Sequence, residues 1–418
     1  MKKVIIGAGP AGLMCAIQAV RQKNVESCDI LIIEKNDVIG KKLGITGKGR
    51  CNITYNGDNE YFLSNVVTNP KFLMSSIAQF NNMDLIKFVN DLGVQTKLER
   101  GNRFFLKSDN ATELVSALKN EIRKLGIKIL YNTSVKQIIT NESKVVAVML
   151  DDGQRIDIDS VVVATGGKSY PLTGSTGDGY ILAQNLGHSI IDIKPALVPL
   201  LVYEKEEAHS LEGLTLKNVS FKVIHNTKNI YEDFGELMYT SVGVTGPVVL
   251  SSSSKINKIK ELDEQLKKQN IKISIDLKPA LSPEELYKRI TSDFNKYLNK
   301  EFKNSLSDLL PKSLIPVVIM RSKIAPEKKV NSVTKEEKMH LVNILKNLEY
   351  TVCKLGPVSS GIVTSGGIKT NEVNPKTMES KIIKGLYFAG EVLDVDAYTG
   401  GFNLQIAFST GFVAGCNI

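Results

Sequence analysis

The residues best suited to chemistry open the chain. Val4-Ile5-Ile6 is a short apolar run, and Gly7-Ala8-Gly9-Pro10-Ala11-Gly12 follows it as a G-x-G-x-x-G turn. In that spacing Gly7 allows a tight turn, Gly9 lets a pyrophosphate approach the backbone, and Gly12 lets the next helix pack closely on the strand. Pro10 closes the turn and Ala11 begins that helix, whose first N–H groups and positive dipole end attract phosphate. A second apolar strand ends in Glu34, placed 22 residues after Gly12, and Lys35 follows it as a further candidate for the cofactor site. A carboxylate at that distance receives both ribose hydroxyls and repels a 2′-phosphate, so the pattern specifies an adenosine ribose without that phosphate.

The fingerprint alone fits more than one dinucleotide, and later segments narrow it. Val161-Val162-Val163-Ala164-Thr165-Gly166-Gly167 is a strand running into a Gly pair, and Gly385-Leu386-Tyr387-Phe388-Ala389-Gly390-Glu391 with Asp394 is another. In this order they resemble the segments by which flavoproteins of the glutathione-reductase-like fold hold extended FAD. The resemblance is closer in Gly47-Lys48-Gly49-Arg50-Cys51-Asn52, in Gly166-Gly167-Lys168-Ser169-Tyr170-Pro171, in Gly174-Ser175-Thr176-Gly177-Asp178-Gly179-Tyr180, and in the run from Gly390 through Tyr398-Thr399-Gly400-Gly401-Phe402-Asn403-Leu404-Gln405. These segments are similar to the bacterial family of aminoacetone-oxidase-like or bile-acid-reductase-like FAD-binding enzymes, over essentially the whole chain.

That resemblance implies non-covalent FAD. It implies that Lys41, Lys42, Thr46, Gly47, Gly49, Arg50, Cys51 and Asn52 line the flavin or its ribityl-pyrophosphate arm, and that Val135 meets the adenine through its backbone. Ala164, Thr165, Gly166, Gly390, Glu391, Asn403 and Leu404 complete the implied site. Gly400-Gly401, at the start of the last helix, would aim backbone N–H groups at a reduced flavin, and Asp394 is placed to accept a ribityl hydroxyl. No catalytic residue stands out. Cys51 has no cysteine partner nearby and reads as a packing residue. Ser169 and Tyr170 lack a visible general base, and Tyr239 and Tyr398 suit substrate contact and packing equally.

The elements that must position these residues alternate. Lys3 to Ile6 reads as a strand, Ala11 to Lys23 as a helix and Ile30 to Glu34 as a strand, a β-α-β unit whose strands lie parallel. Asn110 to Leu125 has helical spacing, and Ile127 to Tyr131, Lys144 to Leu150 and Val161 to Ala164 read as strands around the Asp151-Asp152-Gly153 turn. After Pro195 the texture turns to strands. Ser282-Pro283-Glu284-Glu285 then starts a helical stretch, with Ser as N-cap. Near Gly361 the Gly-rich, β-branched texture returns. The expected architecture is α/β: a Rossmann-like FAD-binding domain of glutathione-reductase type, formed by residues 1–190 and 351–418, with an inserted β-rich module at 191–278 and a helical module at 279–350.

Composition bounds the rest. The 418 residues, 42% apolar and 23% charged, suit a folded chain of two or three domains. No basic, apolar leader and no apolar run long enough to span a bilayer is present, so the chain reads as cytoplasmic. Five scattered cysteines and four scattered histidines argue against disulfides and metal. The net charge of +9 would suit a polyanion, but acidic residues interrupt the lysines between Lys255 and Lys272, so nucleic acid is not expected. The expected function is hydride transfer between bound flavin and a small organic substrate lodged between the FAD domain and the inserted modules. With no second Gly fingerprint after a strand, NAD(P)H would visit only as a transient electron donor. The alternatives are a folate- and FAD-dependent tRNA-modifying enzyme, and a flavin-binding protein without turnover.

Overall fold

The structure, a computed structural model, describes residues 2–22 and 26–418. The expected helix from Ala11 runs Pro10–Arg21, and the predicted end at Lys23 lies outside the described residues. A five-stranded parallel sheet is ordered Leu386–Phe388, Ser160–Val163, Lys3–Ile6, Ile30–Ile33, Lys128–Leu130. Numbered in chain order and read from the Lys128–Leu130 edge, these strands are arranged 3-2-1-4-5, the doubly wound arrangement whose direction reverses beside the first strand. Val4, Ile5, Val161, Val162 and Val163 have no exposed surface, which is why these strands read as unbroken apolar runs rather than alternating ones.

The helices Pro10–Arg21 and Phe402–Asn417 pack on each other, so the last stretch of chain joins the first. Asn110 caps the helix Ala111–Lys124 by accepting the Thr112 N–H at 3.0 Å. A three-stranded antiparallel sheet of Val135–Asn141, Lys144–Leu150 and Arg155–Asp157 stands apart from the parallel one.

The chain divides into two compact units, 1–196 with 357–418, and 197–356. Both junctions fall later than the composition shifts placed them. Ile190–Ala196 pairs with Val363–Ile368 and so belongs to the first unit, whereas Leu348–Leu355 pairs with Ile271–Asp276 and Leu200–Val202 and closes a six-stranded antiparallel barrel in the second. The inserted β-rich and helical stretches share one core. Leu286, Ile290 and Phe294 of the helix Pro283–Lys296 are buried in the same cluster as Phe221, Ile273 and Tyr350 of the barrel. The start of that helix is a capping box between Ser282 and Glu285. No helix among the described residues is long and apolar enough to cross a membrane.

Candidate functional site

A cleft open to solvent lies in the first unit at the carboxyl ends of the parallel strands. It sits where the strand order reverses, the position at which open α/β sheets bind ligands. Gly7, Gly9, Pro10 and Ala11 form one wall. A Cβ built on Gly9 would touch nothing within 4 Å, so this backbone borders open cleft. Gly12 is different: its Cβ would lie 2.0 Å from the Gly7 carbonyl oxygen, so Gly12 serves helix packing and not the cleft wall.

At one end of the cleft Glu34 is nearly buried, 7% exposed, and its carboxylate accepts the Ala8 N–H at 2.8 Å, the Asn36 N–H at 2.8 Å and the Asn36 amide at 2.7 Å. Three charge-assisted bonds fix its position before any ligand arrives. Lys35 bonds Asp178 at 2.6 Å and also meets Thr176, while the Asn36 amide reaches the Thr173 carbonyl at 3.1 Å. Lys35, Lys41, Lys42, Thr46, Val135, Ala164, Thr165, Gly166, Gly390, Glu391, Asn403 and Leu404 all line the cleft. The Asn403 amide holds the loop before it, accepting the Ala397 N–H at 3.0 Å and donating to the Ala397 carbonyl at 2.8 Å.

Other expected contacts lie off the cleft wall. Gly47, Gly49, Arg50, Cys51 and Asn52 do not line it, nor do Asp394, Gly400 and Gly401. Arg50 is drawn to Glu99 and Asp109 and lies over the Phe105 ring, 4.4 Å from its centre. Cys51 is buried, and burial pushes its thiol up to about 11, which makes it an inert packing group at neutral pH. With its amide oriented to satisfy both ends, Asn52 accepts the Gly401 N–H at 3.1 Å and donates to the Thr54 and Phe104 carbonyls. The Gly401 N–H is therefore engaged by Asn52 and not aimed into the cleft. Gly401 also has φ +92° and a would-be Cβ only 2.6 Å from the Thr54 carbonyl carbon, so its role is to seat the last helix on the strand Asn52–Tyr55. Asp394 accepts the Asn69 amide at 2.9 Å. Tyr239, in the second unit, is buried with its hydroxyl 3.2 Å from that of Tyr350 and is a core residue.

The cleft is also lined by residues that the sequence did not single out as contacts. Asn36, Thr133, Ser134, Thr173, Ser175, Asp178, Ile362, Val363 and Val395 line it. Thr173, Ser175 and Asp178 lie in or beside the Gly174–Gly179 segment, whose Gly-rich pattern was the available signal.

The cleft fits an extended dinucleotide: the bare backbone at Gly9 leaves room for a pyrophosphate, the fixed Glu34 carboxylate would receive a ribose, and the remaining wall runs on to Leu404 and Ile362. Fold and cleft together define an oxidoreductase flavoprotein with a Rossmann-type FAD-binding domain. The chain matches the family described as HI0933-like protein Rossmann domain over residues 1–417, and it belongs to that family.

It is 31% identical over 98% of its length, and 97% of the relative's, to 3-dehydro-bile acid delta(4,6)-reductase of Clostridium scindens. It is 30% identical to the ribosomal RNA dihydrouridine synthase of Haemophilus influenzae, covering 100% of this chain and 98% of that one. Among solved structures, 3-ketosteroid-delta4-(5alpha)-dehydrogenase from Rhodococcus jostii RHA1 superposes with a TM-score of 0.54 at 14% identity, covering 99% of this chain and 95% of that one. This last likeness is one of fold. The cofactor is FAD, which supplies two-electron hydride chemistry when bound.

Proposed function

We propose that this protein reduces a carbon–carbon double bond conjugated to a carbonyl, with bound FAD as the hydride carrier and NADH or NADPH as its transient electron donor. The observation that carries the reading is the chemistry shared by two full-length relatives. A 3-dehydro-bile acid with delta(4,6) unsaturation presents such a double bond, and so does the uracil ring that becomes dihydrouridine. In such a reduction a hydride adds to the electron-poor end of the conjugated system and a proton adds to the carbon left with the electron pair. This chain's part is to hold FAD by Glu34 and the Gly9 backbone and to orient the substrate.

The two relatives differ in substrate, one a steroid acid and the other an RNA. The dispersed lysines that argued against nucleic acid do not outweigh a full-length relative named for ribosomal RNA, so RNA stands beside small molecules as a substrate class. The discriminating experiment is anaerobic incubation of the holoprotein with NADH or NADPH and a panel: a 3-oxo-4,6-diene steroid acid, unmodified ribosomal RNA, fumarate, and aminoacetone for the resemblance to its oxidase. A product two hydrogens heavier, from the steroid or the RNA, supports the reading and names the class. Oxidation of aminoacetone with no reduction of any conjugated alkene would overturn it.

A further inference from the structure

The cleft wall carries a closed ring of three polar side chains. Lys42 donates to Ser169 Oγ at 2.6 Å and to Glu391 Oε2 at 2.8 Å, and Ser169 Oγ lies 3.1 Å from Glu391 Oε1. Because Ser169 accepts from the ammonium, its one O–H proton is left to donate, and Glu391 Oε1 is nearer than the other acceptor, the Ile362 carbonyl at 3.4 Å. Glu391 Oε1 also accepts the Thr364 N–H at 2.9 Å, so three donors hold the carboxylate. Ser169 is fully buried, while the Lys42 and Glu391 side chains keep 21% and 19% of their surface. Both of the charged residues line the cleft. An ammonium has three N–H groups, and the ring uses two of them.

Fixed charges in a partly dry wall act on a change of charge beside them more strongly than the same charges in water. Reduction adds negative charge to the cofactor, so an ammonium on the wall favours the reduced form and a carboxylate favours the oxidised one. We propose that Lys42 sets the reduction potential of the bound flavin, with Ser169 as the positioning residue that holds its ammonium against the pull of Glu391. The inference rests on FAD in this cleft and is independent of the substrate. A ring that merely tied two chain segments together would give a different signature, because loss of either charge would then loosen FAD without opposite effects on its potential.

The test is an anaerobic dye-equilibration titration of the holoprotein, giving the midpoint potential of wild type, Lys42→Met, Lys42→Arg, Glu391→Gln and Ser169→Ala. FAD affinity and Tm are measured on each. Lys42→Met lowers the potential, Glu391→Gln raises it, Lys42→Arg stays near wild type, and Ser169→Ala falls between wild type and Lys42→Met. A tenfold change in the preference for reduced over oxidised FAD corresponds to about 30 mV for a two-electron couple, and this is the shift expected for Lys42→Met. If Lys42→Met does not retain FAD, the opposite signs of Glu391→Gln and Ser169→Ala decide. Shifts of one sign throughout, or unchanged potentials in the variants that keep FAD, would overturn the proposal. A wild-type protein that holds no flavin would overturn the cofactor assignment first, and is recognised by that result alone.

Discussion

The Glu34 carboxylate accepts the Ala8 N–H at 2.8 Å, which ties the end of the second strand to the middle of the Gly-rich turn. The group that would recognise the ribose thus also holds the loop that would cradle the pyrophosphate. Glu34→Ala should weaken FAD binding by about tenfold to a hundredfold, since a charge-assisted hydrogen bond is worth roughly 1.5–3 kcal/mol. Because the Ala8 N–H loses its acceptor too, the apoprotein Tm should fall as well. Flavin titration of apoprotein and a melting curve read the two effects separately, and unchanged affinity would remove Glu34 from the ribose site.

Two glycines of one motif should fail in different ways. A methyl at Gly9 meets no protein atom and enters the cleft, so Gly9→Ala should fold with an unchanged apoprotein Tm yet bind FAD poorly. At Gly12 a methyl would sit 2.0 Å from the Gly7 carbonyl oxygen, so Gly12→Ala should lower the Tm of the apoprotein itself. Melting curves with and without FAD distinguish the two, and equal destabilisation of the apoproteins would contradict the assignment.

This contrast shows how far the sequence could be read. Residue types and spacing identified the Gly7–Gly12 turn, Glu34 and the first parallel strands, because local pattern determines them. They did not show which side of the backbone faces the cleft. Gly401 and Asp394 carry the right chemistry, and what the spacing did not reveal is that the Gly401 N–H meets Asn52 and that the Asp394 carboxylate accepts from Asn69, partners remote in sequence. The barrel was hidden for a related reason: Leu200–Val202 pairs with Leu348–Leu355, and no local pattern announces a pairing across so long a stretch. Ile190–Ala196 contains Pro195 and exposed polar residues, so its membership of the first unit rests on pairing with Val363–Ile368.

Cys51 should behave as a buried core atom. With its thiol pushed up to about 11 by burial, it should resist iodoacetamide at neutral pH in the native holoprotein and react only on unfolding. Peptide mapping after alkylation measures this. Rapid native modification of Cys51 would reopen a redox role.

His188 should make the protein acid-sensitive. Ser380 Oγ accepts the Ile382 and Ile383 N–H groups at 3.0 and 2.8 Å, so its single proton goes to His188 Nε2 at 2.9 Å. The ring proton then sits on Nδ1, 3.3 Å from Glu372. Burial holds the His188 pKa below its usual value, although Glu372 pulls it the other way. Above the unfolded pKa of about 6.5 both states are neutral and the contribution to stability is complete. Below it the unfolded chain binds a proton that the folded chain resists, so stability falls as pH drops. His188→Gln should flatten the Tm profile between pH 5 and 7, whatever its constant cost. An unchanged slope would show that His188 titrates alike in both states.

The most direct test of the proposed function isolates the oxidative half-reaction. Holoprotein is reduced anaerobically with dithionite, freed of excess, and mixed with one equivalent of the 3-oxo-4,6-diene steroid acid or with unmodified ribosomal RNA. The account predicts that the oxidised flavin absorbance returns without oxygen with at least one of them, in step with loss of its conjugated double bond. Flavin that stays reduced with both until oxygen is admitted would contradict it.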